Sequence, residues 1–175
     1  PVALDALDGS NGQLLVSGAT ITRAGSALGA AGDINGDGYD DLIIGTGAGA
    51  GALVVFGHGD GFAATLALTA LDGQRGFRVI HGGADIGASV AGAGDVNGDG
   101  FADIIIGEPG AVPNGVSYAG SSFVLFGHGG GFAATLDLGL QGLEAADGTG
   151  DGVLRATQVE VNDLQELAGL LGDTR

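Results

Sequence analysis

The stretch Asp33-Ile34-Asn35-Gly36-Asp37-Gly38-Tyr39-Asp40-Asp41 returns 62 residues later as Asp95-Val96-Asn97-Gly98-Asp99-Gly100-Phe101-Ala102-Asp103. In each copy, oxygen-bearing side chains stand at positions 1, 3, 5 and 9, and glycine stands at positions 4 and 6. Glycine enters φ > 0 without a steric penalty, so the backbone curls and the side chains at positions 1, 3 and 5 converge. Ca²⁺ is a hard cation that takes about six to eight oxygens in a flexible shell, and this spacing suits it. The expected ligands are Asp33, Asn35, Asp37, the backbone carbonyl of Tyr39, and Asp41 in the first loop. In the second they are Asp95, Asn97, Asp99, the carbonyl of Phe101, and Asp103. Asp, Asn and Gly also mark ordinary turns. That reading would account for one such loop, but two, each running into an apolar β-branched stretch, favour calcium.

The rest of the composition fits a thin, strand-built chain. Its 175 residues suit about one domain, and 45% hydrophobic residues with a mean hydropathy of +0.36 exclude a disordered tail. There are 39 glycines against 7 Phe, 2 Tyr and no Trp, so the core must come from Ala, Val, Ile and Leu on closely approaching backbones. The formal charge of −16 makes a nucleic acid a poor partner. Six of the acids sit at ligand positions in the two loops, where bound cations would relieve their mutual repulsion. The remaining acids read as a solvated surface.

No cysteine is present, so neither a disulfide framework nor a thiolate metal site is available. Weak calcium sites belong to extracellular modules, which places the expected location outside the cell: secreted, at the cell surface, or periplasmic. No apolar run approaches the ~20 residues of a membrane span, and no secretory leader pattern is seen. The start at Pro1, with no methionine in the chain, reads as a processed product or a fragment.

Self-comparison gives two repeats, at about 10–66 and 74–136 within a unit spanning 1–138, followed by a segment over 139–175. Strands are expected near Gln13 to Val16, Ser26 to Ala31, Asp41 to Ile44 and Ala52 to Phe56. The second repeat gives Phe77 to Ile80, Ala88 to Ala93, Asp103 to Ile106 and Ser122 to Phe126. Leu42-Ile43-Ile44 and Ile104-Ile105-Ile106 are continuous and apolar, which predicts central strands buried on both faces. Each fourth strand runs into a Phe-Gly-His-Gly-x-Gly-Phe-Ala-Ala-Thr-Leu turn, at Phe56 to Leu66 and Phe126 to Leu136. A Pro- and Gly-rich insertion, Glu108 to Gly115, follows the third strand of the second repeat and reads as a surface loop.

The segment 139–175 breaks the pattern. Asp147, Thr149, Asp151 and Val153 fall at positions 1, 3, 5 and 7 of an EF-hand-like loop, a third calcium candidate. Its twelfth position is Gln158, where a bidentate Glu is expected. Apolar spacing over Val159 to Leu171, with Asn162 or Asp163 as N-cap, predicts a short C-terminal helix.

Gly87 to Pro109, and Gly25 to Gly47 before it, resemble the FG-GAP repeat of integrin α-subunit propellers and large bacterial surface proteins. The likeness covers about residues 10 to 138. Departures fall at Ala24-Gly25 and Ile86-Gly87, where Phe-Gly is usual, and at Gly45-Thr46-Gly47 and Gly107-Glu108-Pro109, where Gly-Ala-Pro is usual. The resemblance implies an all-β fold of two four-stranded propeller-type blades, with a calcium loop joining adjacent strands of each. Propellers close with about four to eight blades, so two would leave open edges and half-covered faces. A longer parent chain, assembly of several copies, and a covering protein partner all answer that deficit.

Other chemistry fits less well. An EF-hand reading of the main loops fails at position 12, which is Ile44 and Ile106. Gly45 to Ala50 has no room for the helix that a dinucleotide site requires. His58 and His128 recur in step but have no second His or Cys nearby for zinc, so they read as turn residues. His81 reads as a surface residue at a strand end, Ser89 lacks a nucleophile elbow, and Glu108 shows no partner carboxylate. Two functions remain: a non-catalytic calcium-binding module for adhesion, protein interaction or assembly, and an accessory domain of a larger secreted enzyme.

Overall fold

The computed structural model describes residues 3–47, 50–82, 85–113, 116–117, 119–139 and 156–158. The third loop and the expected C-terminal helix fall outside them, Ala156–Gln158 apart. Helix among the described residues is of the 3-10 kind alone, as at Leu4–Ala6 and Leu68–Ala70. The rest is strand and turn, an all-β architecture whose sheets are consistent with propeller blades.

In chain order the strands are β1 (Leu14–Val16), β2 (Ala27–Gly32), β3 (Asp41–Gly45), β4 (Ala52–Val55), β5 (Thr65–Ala67) and β6 (Gly76–Ile80). They continue as β7 (Ser89–Gly94), β8 (Asp103–Glu108), β9 (Ser121–Leu125), β10 (Thr135–Asp137) and β11 (Ala156–Gln158). One sheet runs β10-β6-β4-β3-β2, a second runs β11-β9-β8-β7, and β1 pairs with β5 alone. Strands β2-β3-β4 and β7-β8-β9 are antiparallel meanders with matching irregularities, between Ala30 and Gly32 and between Gly92 and Gly94. Each irregularity sits directly before an Asp loop, so the loop leaves the sheet at the same angle in both repeats.

The eight expected strands are all present, but they are shared out differently. In the first sheet the strand beside β4 is β6, from the second repeat, with β10 beyond it, while β1 stays outside that sheet and pairs in parallel with β5. Close approach is the reason. Gly76 has φ +140, and a Cβ there would lie 2.1 Å from the Val54 carbonyl oxygen, so only glycine lets β6 close on β4.

The main core lies in the seam between the two large sheets. Ile43, Val54 and Phe77 from the first meet Ile104, Ile106 and Leu125 from the second. Phe77 and Phe132 stack with centroids 4.5 Å apart, and Phe56 tilts against both. A smaller cluster of Ile21, Ile44, Leu53, Val55 and Leu68 covers part of the other face of the first sheet. Burial on both faces holds for Ile43 and Ile44, but Leu42 and Ile105 are exposed, because each points away from the seam to a part of the outer face that nothing covers among the described residues.

The structure adds a contact between His81, part-exposed at the end of β6, and Glu108. The Glu108 side chain is fully buried at the end of β8, with Oε2 2.7 Å from His81 Nδ1 and Oε1 without a hydrogen-bond partner. His81 lies edge-on to Phe123 and is the contact that spares this carboxylate isolation. Removing the hydrogen-bond partner of a buried polar group leaves that group unsatisfied. His81→Ala should therefore lower stability by about 2 kcal/mol, and adding Glu108→Gln should recover part of the loss. Urea denaturation of the two variants checks this.

Candidate functional site

Both Asp loops are closed by their own side chains. Asp33 Oδ1 accepts from the amides of Gly36 (2.7 Å) and Asp37 (3.0 Å), and Oδ2 accepts from Gly38 N (2.8 Å). Asn35 Oδ1 accepts from Asp37 N, Asn35 Nδ2 donates to Asp37 Oδ2, and Asp37 Oδ1 accepts from Tyr39 N. The same six bonds recur among Asp95, Asn97, Gly98, Asp99, Gly100 and Phe101. Gly36 and Gly38 have φ of +74 and +90, and Gly98 and Gly100 of +78 and +93, the left-handed turns that the spacing requires. Side chains at positions 1, 3 and 5 are thus gathered in both loops.

Position 9 is used differently. Asp41 and Asp103 are completely buried. Asp41 Oδ2 accepts from Ile34 N (3.0 Å) and Oδ1 from Gly57 N (2.8 Å), tying the loop to the turn after β4. Asp103 does the same with Val96 N (2.7 Å) and Gly127 N (2.9 Å). The glycine of each Phe-Gly-His turn is therefore part of its loop. The recurrence of Gly57 and Gly127 at equal places in the repeat was the sequence signal for that link. Each carboxylate oxygen keeps a further lone pair, so these bonds leave capacity for a cation.

Loop one is also bound into the seam. Ala102 N donates to the Asp33 carbonyl (3.0 Å) and His128 N to the Ile34 carbonyl (2.9 Å). The Phe101 ring covers Gly36 so closely that a Cβ there would lie 2.3 Å from the ring. The two loops are thereby coupled through backbone and ring.

Among the described residues no three His, Cys, Asp or Glu side chains meet as a cluster that could hold a metal ion. What each loop offers is two Asp carboxylates, one Asn amide oxygen and a position 9 carboxylate in its floor, a hard oxygen donor set. That chemistry fits Ca²⁺ and does not fit a thiolate- or imidazole-seeking metal. His58 and His128 tilt against Phe62 and Phe132 with centroids 4.3 Å apart in both cases. His58 Nδ1 also lies against the Asp60 carboxylate. Burial holds the His128 imidazole below its usual pKa, with Asp99 opposing.

The FG-GAP repeat profile matches residues 24–56 and 86–125, which bracket both loops and the strands around them. The chain carries FG-GAP repeats. Integrin alpha-PS5 of Drosophila melanogaster is 40% identical over 93 residues, which is 51% of this chain and 9% of that protein. The chain thus spans less than a tenth of the length of that relative.

Burial pushes the Asp41 carboxyl up to about 6, against the amide bonds from Gly57 and Ile34 and with help from the Asp37 and Asp33 charges. Its ordinary value is 3.8, so the folded chain holds this proton more tightly than the unfolded one. The ionised carboxylate opposes folding above about pH 6, and that penalty fades as pH falls toward about 4. In chelator, wild type should gain stability relative to Asp41→Asn between about pH 7 and pH 5, as read from paired thermal melts. An equal response of the two chains would assign the pH dependence elsewhere.

Proposed function

We propose that this chain is a non-catalytic, calcium-binding protein-interaction module of adhesion or assembly type that works outside the cell. The observation that carries the reading is the pair of loops: the same donor set, the same left-handed glycines and the same six internal hydrogen bonds appear twice. The FG-GAP repeats and the integrin alpha relative support protein interaction and adhesion. Among the described residues no helix is long and apolar enough to cross a membrane.

Calcium would be held in the first loop by Asp33, Asn35, Asp37, the Tyr39 carbonyl and Asp41, and in the second by Asp95, Asn97, Asp99, the Phe101 carbonyl and Asp103. When bound, it supplies positive charge to carboxylates that otherwise repel one another. Asp33 and Asp95 keep their backbone turns, and Asp41 and Asp103 keep each loop attached to its sheet. The role is rigidity: loops held in one shape present one surface to a protein partner. A third ion at Asp147, Thr149, Asp151 and Val153 would add to this.

Sites of the extracellular kind bind with Kd on the order of 10⁻⁴ to 10⁻³ M. Calcium at about 100 times Kd should stabilise the chain by about 2.7 kcal/mol per site. Calorimetric titration should show two main sites, one lost in Asp33→Ala/Asp37→Ala and the other in Asp95→Ala/Asp99→Ala. A melting temperature unchanged between calcium and EDTA would overturn the calcium reading.

A further inference from the structure

The seam between the two large sheets is a contact between two copies of one repeat, and the chain presents part of each half again, uncovered, on opposite faces. Leu28 and Leu42, on the outer face of the first sheet, are 70% and 49% exposed. Their counterparts 62 residues later are Val90, packed against the seam core, and Ile104, 0% exposed within it. On the outer face of the second sheet, Val96 and Ile105 are 55% and 37% exposed, where their counterparts Ile34 and Ile43 are both 0%.

The close approaches tell the same story. A Cβ on Gly32 would meet Ala102, and one on Gly36 would meet Phe101, whereas Gly94 and Gly98 have nothing within 4 Å. The backbone bonds agree as well. Ala102 N and His128 N reach the carbonyls of Asp33 and Ile34. Among the described residues, the counterpart donors Asp40 N and His58 N reach no acceptor, and the counterpart carbonyls of Asp95 and Val96 receive no donor. Apolar surface, empty glycine cradles and free polar backbone are thus matched between one face and the other.

We infer that a second copy of this chain docks head to tail, with its first-sheet face on the second-sheet face of its neighbour, repeating the internal seam. Leu28 and Leu42 of one copy cover Val96 and Ile105 of the next. Tyr39 takes the place over Gly98 that Phe101 holds over Gly36, and Asp40 N and His58 N donate to the carbonyls of Asp95 and Val96. In the chain, β6 lines the outer edge of β4, and β1 is the counterpart of β6. Docking therefore brings β1 of one copy to the outer edge of β9 in the next, the edge that β11 holds in the single chain. The contact is heterologous, so it propagates to a ring or an open string. This assignment rests on the protein-interaction reading above and names the partner.

A heterologous contact has a distinctive test in sedimentation velocity of the full chain at about 100 μM in millimolar calcium, a protein concentration chosen to reveal Kd values in the micromolar range. Wild type should sediment as multiples of the monomer. Leu42→Arg blocks one face and Ile105→Arg the other, at positions exposed enough for the fold to survive, as circular dichroism would check. Each variant alone should be monomeric, and their equimolar mixture should form a dimer, because each brings the face that the other lacks. Three results would overturn the inference: a monomeric wild type, a single variant that associates like wild type, or a mixture that stays monomeric. Calcium-dependent melting with a monomeric wild type would refute the docking alone, whereas association without calcium binding would refute the calcium reading alone.

Discussion

The fold depends on what two buried carboxylates do. Asp41 and Asp103 each take a backbone amide from the start of their own loop and another from the turn after the next strand. An ionisable group with no exposed surface is expensive to bury unless its oxygens are used, and here two amides use them. In return the carboxylate fixes three pieces of backbone at once: the loop, the strand it enters, and the Phe-Gly-His turn. The other acids of the loop then fold the backbone around themselves through short amide bonds.

From that constraint the seam follows. With loop one fixed, its Asp33 and Ile34 carbonyls are presented at the edge of the first sheet, where Ala102 and His128 of the second repeat bond to them. The sheets approach closely because small residues face each other: a Cβ on Gly45 would lie 2.2 Å from the Gly87 carbonyl, and one on Gly92 would lie 2.5 Å from the Ala30 carbonyl. Large side chains fill the same core, with Phe77 stacked on Phe132. A chain with 39 glycines and few aromatics thus packs backbone on backbone at several points of the seam.

Much of this was legible in the sequence because it is local. The loop spacing, the glycines at positions 4 and 6, and the strands bounded by turns all depend on residues within one short window. Strand sharing was not legible, because whether β6 closes the first sheet depends on an approach across 22 residues, between Val54 and Gly76. The His81 and Glu108 contact spans 27 residues and exists only once the sheets have met. Periodicity also misled at Leu42 and Ile105: a continuous apolar run marks a central strand, but which of its faces is covered is decided by the neighbouring sheet. The floor role of Asp41 and Asp103 lay between these cases, since the repeated glycine after Phe56 and Phe126 was visible and its partner was not.

The buried carboxylates tie each Asp loop to its sheet, and we propose that bound calcium sets the rigidity of the loops. Amide hydrogen exchange at Ile34, Gly57, Val96 and Gly127 addresses it directly, since these four amides donate to Asp41 and Asp103. In calcium they should exchange as slowly as the central strand amides, and on addition of EDTA they should lose protection together and ahead of the strands. Protection that is the same with and without calcium would contradict the account.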